Sequence, residues 1–576
     1  MAFLTSESPN VTIKEIDLSS VVPAVTSSTG AIVGDFSWGP INQPVLIGNE
    51  AELVNTFGSP EFSNDSASEN FLSAAHFLKY SGSLQTVRAA GAGALNAVDS
   101  GSAVQIKNRE DWDVVKTGLP SDFYAKYAGT VGNSLLVSYC GADSAGTAFG
   151  SWDYASSFDA APGTSEFVST RSVDSALAFD EVHVAIVDED GVLTGVRGTV
   201  LETFSNVSLA TDAKDASGST NFILDVLADR SSYVWGANVP TNLNSPNATA
   251  SAFTQPASSV AESKSLINGA NTAALTLGNY QNGWAEFEDE TVIQVDLMIM
   301  PGLGNTTDQK TLVNELAGYA AARKDCVVVC SPPRQLVVGV NNPVTANNNV
   351  ATTWATAAGV TRSSYLVMDN NYLKVYNKYK DRYEFIPASA GTAGTMAATD
   401  DVSAPWFSPA GGRRGQYRGV TSLAYNATKS QRDTLYKAGV NPVLNLPGQG
   451  ILLYGDKTFL NKPSAFNRIN VRRLFLVMER AIKGAAQNVL FEFNDEFTRA
   501  EFVNIVEPFL REIKGRRGIS DFRVVCDETN NTSDIIDNNQ FVASVFVKPA
   551  RSINYVTLNF VAVRTGVDFD EVVGIV

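Results

Sequence analysis

Charge is segregated along this chain, and the segregation limits what it can fold into. Residues 96–280 carry 21 acidic and 9 basic side chains, a net of −12, whereas residues 460–576 carry 15 of each. Inside that last stretch, 462–517 holds 11 basic and 7 acidic residues, a net of +4. One core does not sort charge in this way. At 576 residues the chain also exceeds what one core supports, so about two to four domains of roughly 100–200 residues each are expected. The acidic stretch is rich in Ser, Ala, Asn and Gly and is flanked by GAGALNAVDSGSA and the loop-rich TNLNSPNATASAFTQPASS. It reads as an inserted domain entered and left through flexible joints, and its many turn residues argue for β-structure.

The net charge of −17 disfavours nucleic acid and anionic membranes as partners. Apolar runs such as Val327–Val329 fall far short of the ~20 residues of a membrane span. The first residues, MAFLTSESPNVTIKEIDLSS, carry neither the basic nor the apolar region of a signal peptide. Four cysteines are present. Cys326 and Cys330 bracket Val-Val-Val in an expected buried strand, about 13 Å apart on one face at ~3.3 Å per residue, too far for one disulfide or one metal.

Motifs for chemistry are missing. The two histidines are far apart, His76 in a helical pattern and His183 in an alternating strand, and both read as structural. Gly-Lys never occurs, which removes a P-loop. Gly91-Ala92-Gly93 lacks the third glycine of a dinucleotide loop, because Asn96 stands in its place. Asp188-Glu189-Asp190-Gly191 lacks the ligand pattern of a calcium loop and reads as a hairpin turn between VHVAIV and VLTGV. Nothing nominates a catalytic carboxylate pair, and no cofactor is expected.

The order strand (ETVIQVDLMIMPG), helix (DQKTLVNELAGYAAARKD), strand (CVVVCSPP) implies an α/β unit. Further on, Asn470 is the expected N-cap of a helix with Val471, Leu474, Phe475, Met478 and Ile482 on one face and Arg473, Arg480 and Lys483 on the other. Thr498 and Glu501 suggest a capping box. The helix they open has Phe502, Ile505, Val506, Phe509 and Ile513 as its stripe, Arg511 and Lys514 outside it, and Pro508 as a kink. Strands FRVVCDE, FVASVFVKP and INYVTLNFVAVRT follow. At the start Val11, Ile13, Glu15 and Ile16, and at the end Val567, Phe569, Glu571 and Val573, form short strand-like segments. Such segments pair either within the chain or on the sheet edge of another copy.

Several segments, taken in order, resemble one family. NVTIKEIDLSSVVPAVTSSTGAIVGDFSWGPINQPVLIGNEAELVNTFG, FLSAAHFLKYSGSLQTVRA, WFSPAGGRRGQYRGVTSLAYN, GDKTF, NVRRLF, VLFEFNDEFTR and VCDETNNTSDIIDNNQFVASVFVKPA are similar to the tail sheath proteins of contractile phages and related injection machines. The resemblance covers roughly residues 1–90 and 280–576. It implies an α/β and α+β multidomain fold, with an inner α+β domain built from both chain ends. The implied parts are an N-terminal arm at 1–25, a discontinuous middle α/β domain at 26–95 and 281–455, a β-rich outer domain at 96–280, and an inner, tube-facing domain with a C-terminal arm at 456–576.

The resemblance further implies hexameric rings stacked helically around a tail tube, with the two terminal arms completing a sheet in neighbouring copies. Contraction then draws on a metastable assembled state and not on a nucleotide. Tail tube, baseplate and tail terminator proteins become the expected partners, besides further copies of the chain. The expected place is a virion tail assembled in the host cytoplasm, and no enzymatic activity is expected. Arg499, Arg511, Lys514, Arg516, Arg517, Arg473 and Arg480 become candidates for facing the tube or an adjacent subunit. The sheath of a tailocin or of an extracellular injection system remains an alternative, as does, from another class, a hydrolase using the unit near 290–340.

Overall fold

A computed structural model describes residues 28–554 apart from 61–64, 144–145, 175–176, 246–247, 255–259 and 273. Both expected terminal arms, including Val11, Ile13, Glu15, Ile16, Val567, Phe569, Glu571 and Val573, lie outside the described residues, as does nearly all of INYVTLNFVAVRT. The fold is mixed α/β and multidomain. The chain divides into a larger unit, Ala24–Pro405 with Pro409–Ala481, and a smaller one that includes Trp406–Ser408 and everything from Ile482 onward.

The larger unit is organised on a six-stranded sheet. Its strands run in the order Leu366–Met368, Val327–Cys330, Leu297–Ile299, Gly30–Gly34, Leu84–Arg88, Val45–Ile47. All pairings are parallel except that of the edge strand Val45–Ile47 with Leu84–Arg88. The central strands are buried on both faces, hence their continuous apolar composition. Ala31, Val33, Met298, Val328 and Cys330 face one core, with Trp284, Leu312, Leu316 and Trp354. Ile32, Ile299, Val327 and Val329 face the other, with Phe71, Phe77, Ala393 and Met396.

The expected strand–helix–strand is present as Leu297–Ile299, Thr306–Arg323 and Val327–Cys330. Asn305 starts its helix by accepting a hydrogen bond from the Asp308 amide at 2.8 Å, satisfying a donor the first turn leaves open. Cys326 and Cys330 are buried free thiols, and burial holds both well above the usual thiol range. Helix Ser389–Val402 is nearly all small residues because its neighbours need its backbone. A Cβ on Gly391 would sit 2.4 Å from the Tyr417 ring, and one on Gly394 2.4 Å from Tyr80.

The acidic stretch is β-rich as expected. It holds a four-stranded antiparallel sheet, Ala261–Ser265, Leu135–Gly141, Glu181–Asp188, Thr199–Ser208, and a three-stranded one, Asn96–Val98, Phe123–Ala128, Val234–Gly236. Its entry and exit are tied together by bridges between Leu95 and Ala270 and between Val98 and Ile267. Helix Leu277–Ala285 already belongs to the core beneath the parallel sheet, through Tyr280 and Trp284.

One local expectation is corrected. The partner of strand Glu181–Asp188 is Thr199–Ser208, and VLTGV lies in the loop between them. The Asp188 carboxylate organises that loop by accepting from Ser134 Oγ and from the Leu193 and Thr194 amides. His183 is structural: its Nε2 lies 2.8 Å from the Ala160 carbonyl, and Nδ1 accepts from the Asn206 amide. His76 is buried with both ring nitrogens lacking a hydrogen-bond partner, and burial lowers its pKa to about 3.

Candidate assembly surface of the smaller unit

The seven basic residues singled out in the sequence fall into two physical classes. Three are committed within the chain, Arg473 and Arg499 buried and Arg480 largely covered. Arg473 pairs with Asp400 and donates to the Met396 carbonyl. Arg480 pairs with Asp296 at 2.6 Å and donates to the Asp325 carbonyl at 2.8 Å. Burial, opposed by the Arg480 guanidinium, sets the Asp296 carboxyl at about 6. These two arginines are therefore not on an outward face. Helix Ile469–Gln487 is covered on both sides over its first half, with Val471, Leu474, Leu476 and Met478 buried as well.

That burial also explains why 456–481 packs in the larger unit and the smaller unit resumes at Ile482. The helix begins at Ile469, so Asn470 lies inside it and not at its cap. Arg499 is the third of these and is buried, donating to the Asn494 side chain at 2.9 Å.

The other four are exposed. Helix Glu496–Gly515 starts at Asp495, whose side chain accepts from the Thr498 amide at 2.8 Å. Thr498 is thus in the first turn and not the cap. Phe502, Val506, Leu510 and Ile513 are its buried stripe, so Leu510 takes the place expected of Phe509, which is half-buried. Pro508 lies inside the helix. Arg511 and Arg516 pair with Glu507 (2.7 Å) and Glu512 (3.4 Å) one turn back. Lys514 reaches Asp521 at 3.1 Å on the following strand and holds that carboxyl below its usual range. Arg517 is exposed just past the helix in a left-handed conformation, φ 66°. The Trp406 indole anchors this corner by donating to the Arg516 carbonyl.

Two strands complete the unit, Ile519–Val525 and Ser544–Pro549, antiparallel with Phe522 opposite Val547. Among the described residues each pairs on one side only, which leaves two open edges. Asn531 ties the connection between them by bonding both ways with Val542.

A feature missed in the sequence spans the link between the helices and the first turn of the second. Leu490, Phe491, Phe493 and Phe497 are all exposed, Phe491 fully and Phe493 at 84%. Large apolar side chains exposed this close in sequence are candidates for an interaction surface. The available signal was the run of large apolar residues in VLFEFNDEF, with Leu490, Phe493 and Phe497 at helical spacing.

Comparisons with known proteins agree along the whole chain. The phage tail sheath protein central domain matches residues 273–459, the phage tail sheath C-terminal domain matches 461–562, and the N-terminal region of domain III of tail sheath protein Gp18 matches 27–89. The tail sheath protein of Vibrio phage KVP40 is 31% identical over 99% of this chain and 100% of its own length. That of Enterobacteria phage T4 is 32% identical over 99% and 100%. A sheath tail protein of known structure from Listeria innocua is 12% identical, with a TM-score of 0.52 over 92% of this chain and 96% of that one, and shares the fold. Similarity to the phage proteins runs through the acidic insert as well as the segments that flank it. The chain belongs to the phage tail sheath protein family.

Proposed function

We propose that this sheath subunit polymerises as stacked hexameric rings around a tail tube, and that contraction of the lattice drives the tube through the host envelope. The observation that carries the reading is the two-stranded sheet Ile519–Val525/Ser544–Pro549, whose outer edges are unpaired among the described residues. Two strands alone are marginal in water, and open edges accept further strands through main-chain hydrogen bonds. Segments around Val11, Ile13, Glu15 and Ile16 and around Val567, Phe569, Glu571 and Val573 of neighbouring copies supply them. In this reading residues 1–25 are the arm, 26–95 with 281–455 the middle domain, 96–280 the outward domain, and 456–576 the inner one.

Exposed Arg511, Lys514, Arg516 and Arg517, with the phenylalanines at 491, 493 and 497, form the contact to the tube or an adjacent subunit. Exposed ion pairs are each worth ~0–1 kcal/mol. Such a surface grips through repetition and releases on rearrangement. The subunit is not an enzyme: its assembled state is metastable and needs no nucleotide. Its place is the virion tail, assembled in the host cytoplasm with tube, baseplate and terminator proteins. Deleting residues 1–20 tests the arm: a folded, soluble monomer that no longer forms sheaths is expected, and normal polymerisation would refute it.

A further inference from the structure

Two patches of opposite charge lie on the two sides of the parallel sheet of the larger unit. On the face covered by Trp284 and Leu312, helix Leu277–Ala285 runs into a turn that exposes Glu286 and Glu288. The turn is pinned from beneath. Phe287 is buried, its carbonyl accepts from Arg323 Nη1 at 2.6 Å, and Arg323 is itself held by Asp325 at 2.8 Å. Exposed Glu110 lies near enough to add, after burial, to the upward push on the Glu286 carboxyl. Together with Val292 and Ala322, the turn lines a shallow groove of about 620 Å³.

On the opposite face, covered by Phe77 and Met396, the loop at 411–419 exposes Arg413 and Arg418 beside exposed Lys79. This loop is also fixed. The Gly411 amide donates to the Leu453 carbonyl and the Leu453 amide to the Gly415 carbonyl, both at 2.8 Å. Tyr417 is buried and shares a hydrogen bond with Thr392, and Arg418 donates to the Lys79 carbonyl at 2.8 Å. Among the described residues no carboxylate forms an ion pair with Lys79, Arg413 or Arg418. In a chain with 60 acidic and 43 basic residues, cations left without a carboxylate point to an acidic surface outside the subunit.

Such a surface is present on every copy. Opposite charges on opposite faces of one unit fit a heterologous contact, which propagates into rings or open helices instead of closing as a dimer. Complementary patches also offset the mutual repulsion of subunits carrying −17 each and set register between them.

We propose that, in the assembled sheath, the loop bearing Arg413 and Arg418 of one copy docks on the acidic groove at Glu286 and Glu288 of the next. This rests on the sheath reading and adds a specific contact to it. The test uses the full chain, with polymer measured by sedimentation and electron microscopy and folding by thermal melting. The double variants R413E/R418E and E286K/E288K should still melt cooperatively within a few degrees of the unaltered chain, R418E losing one exposed hydrogen bond, yet need at least about tenfold more subunit to polymerise at physiological salt. The quadruple variant, with both patches reversed, should recover.

Unchanged polymerisation of either double variant would overturn the contact. A quadruple variant as defective as the doubles would also overturn it, because the basic loop would then serve another acidic partner. Failure of the unaltered chain to form tubes under any condition would overturn the sheath reading itself, and this contact with it.

Discussion

Replacing Arg473 by alanine and replacing Arg511 by alanine remove the same side chain from neighbouring helices, with very different expected costs. The Arg473–Asp400 pair is almost wholly buried, with 4% and 6% of the two side chains exposed. Removing the guanidinium strands a carboxylate in a low-dielectric site, and breaking such a pair costs about 3–5 kcal/mol. Arg511 and Glu507 are 69% and 34% exposed, and an exposed i,i+4 pair contributes about 0.3–0.5 kcal/mol. R473A should therefore lower the unfolding free energy by several kcal/mol and R511A by under about 1 kcal/mol.

Denaturant unfolding of the dispersed subunit measures both. Fluorescence of Trp284 and Trp354, buried in the larger unit with Arg473, follows the transition. The paired change R473M/D400L removes both charges and should recover most of the loss, because an apolar pair of similar volume replaces a buried ion pair at little cost. An R473A loss no larger than that of R511A would refute the assignment of Arg473 to the interior.

Further outcomes follow from the same structure. Asp369 is fully buried, accepting from Ser331 and Thr392, and burial raises its carboxyl to about 7. A raised carboxyl stays protonated in the folded chain while the unfolded chain ionises, so its contribution is complete below about pH 4 and is lost as pH rises to about 7, a change on the order of 4 kcal/mol. D369N should flatten that decline, and parallel pH–stability curves for the two proteins would contradict it. G394A pushes a Cβ to 2.4 Å from the Tyr80 ring and should cost about 1–3 kcal/mol of stability by overpacking, read as a lowered melting temperature. R511E/K514E, which breaks two exposed ion pairs, should lower stability by no more than about 1–2 kcal/mol and reduce assembly on tubes, and full assembly would remove those residues from the contact. F493S/F497S, on side chains already in solvent, should leave stability within about 0.5 kcal/mol while weakening association, measured by sedimentation.

Much of the framework was legible where burial is two-sided. Val327–Cys330 and Leu297–Ile299 are unbroken apolar runs because both sheet faces are covered, and such runs read as strands in any context. The charge step at the insert was legible for the opposite reason, since a solvated domain keeps its polar composition. The arginines were not separable. A helical projection shows that Arg473 and Arg480 leave the apolar stripe of their own helix. It does not show Asp400 and Asp296 arriving from elements 73 and 184 residues away in sequence. Caps slipped by a few residues because Asp495 competes with Thr498, and Ile469 precedes Asn470, at positions that sequence spacing alone ranks alike. Phe491, Phe493 and Phe497 escaped notice because spacing alone does not show which apolar side chains stay in solvent.

The central claim is that this chain builds a tubular lattice. Electron microscopy of the purified protein, alone and with a candidate tail tube protein, tests it most directly. Hollow tubes with stacked rings are the predicted result. Discrete monomers that never polymerise, or that turn over a substrate instead, would contradict it.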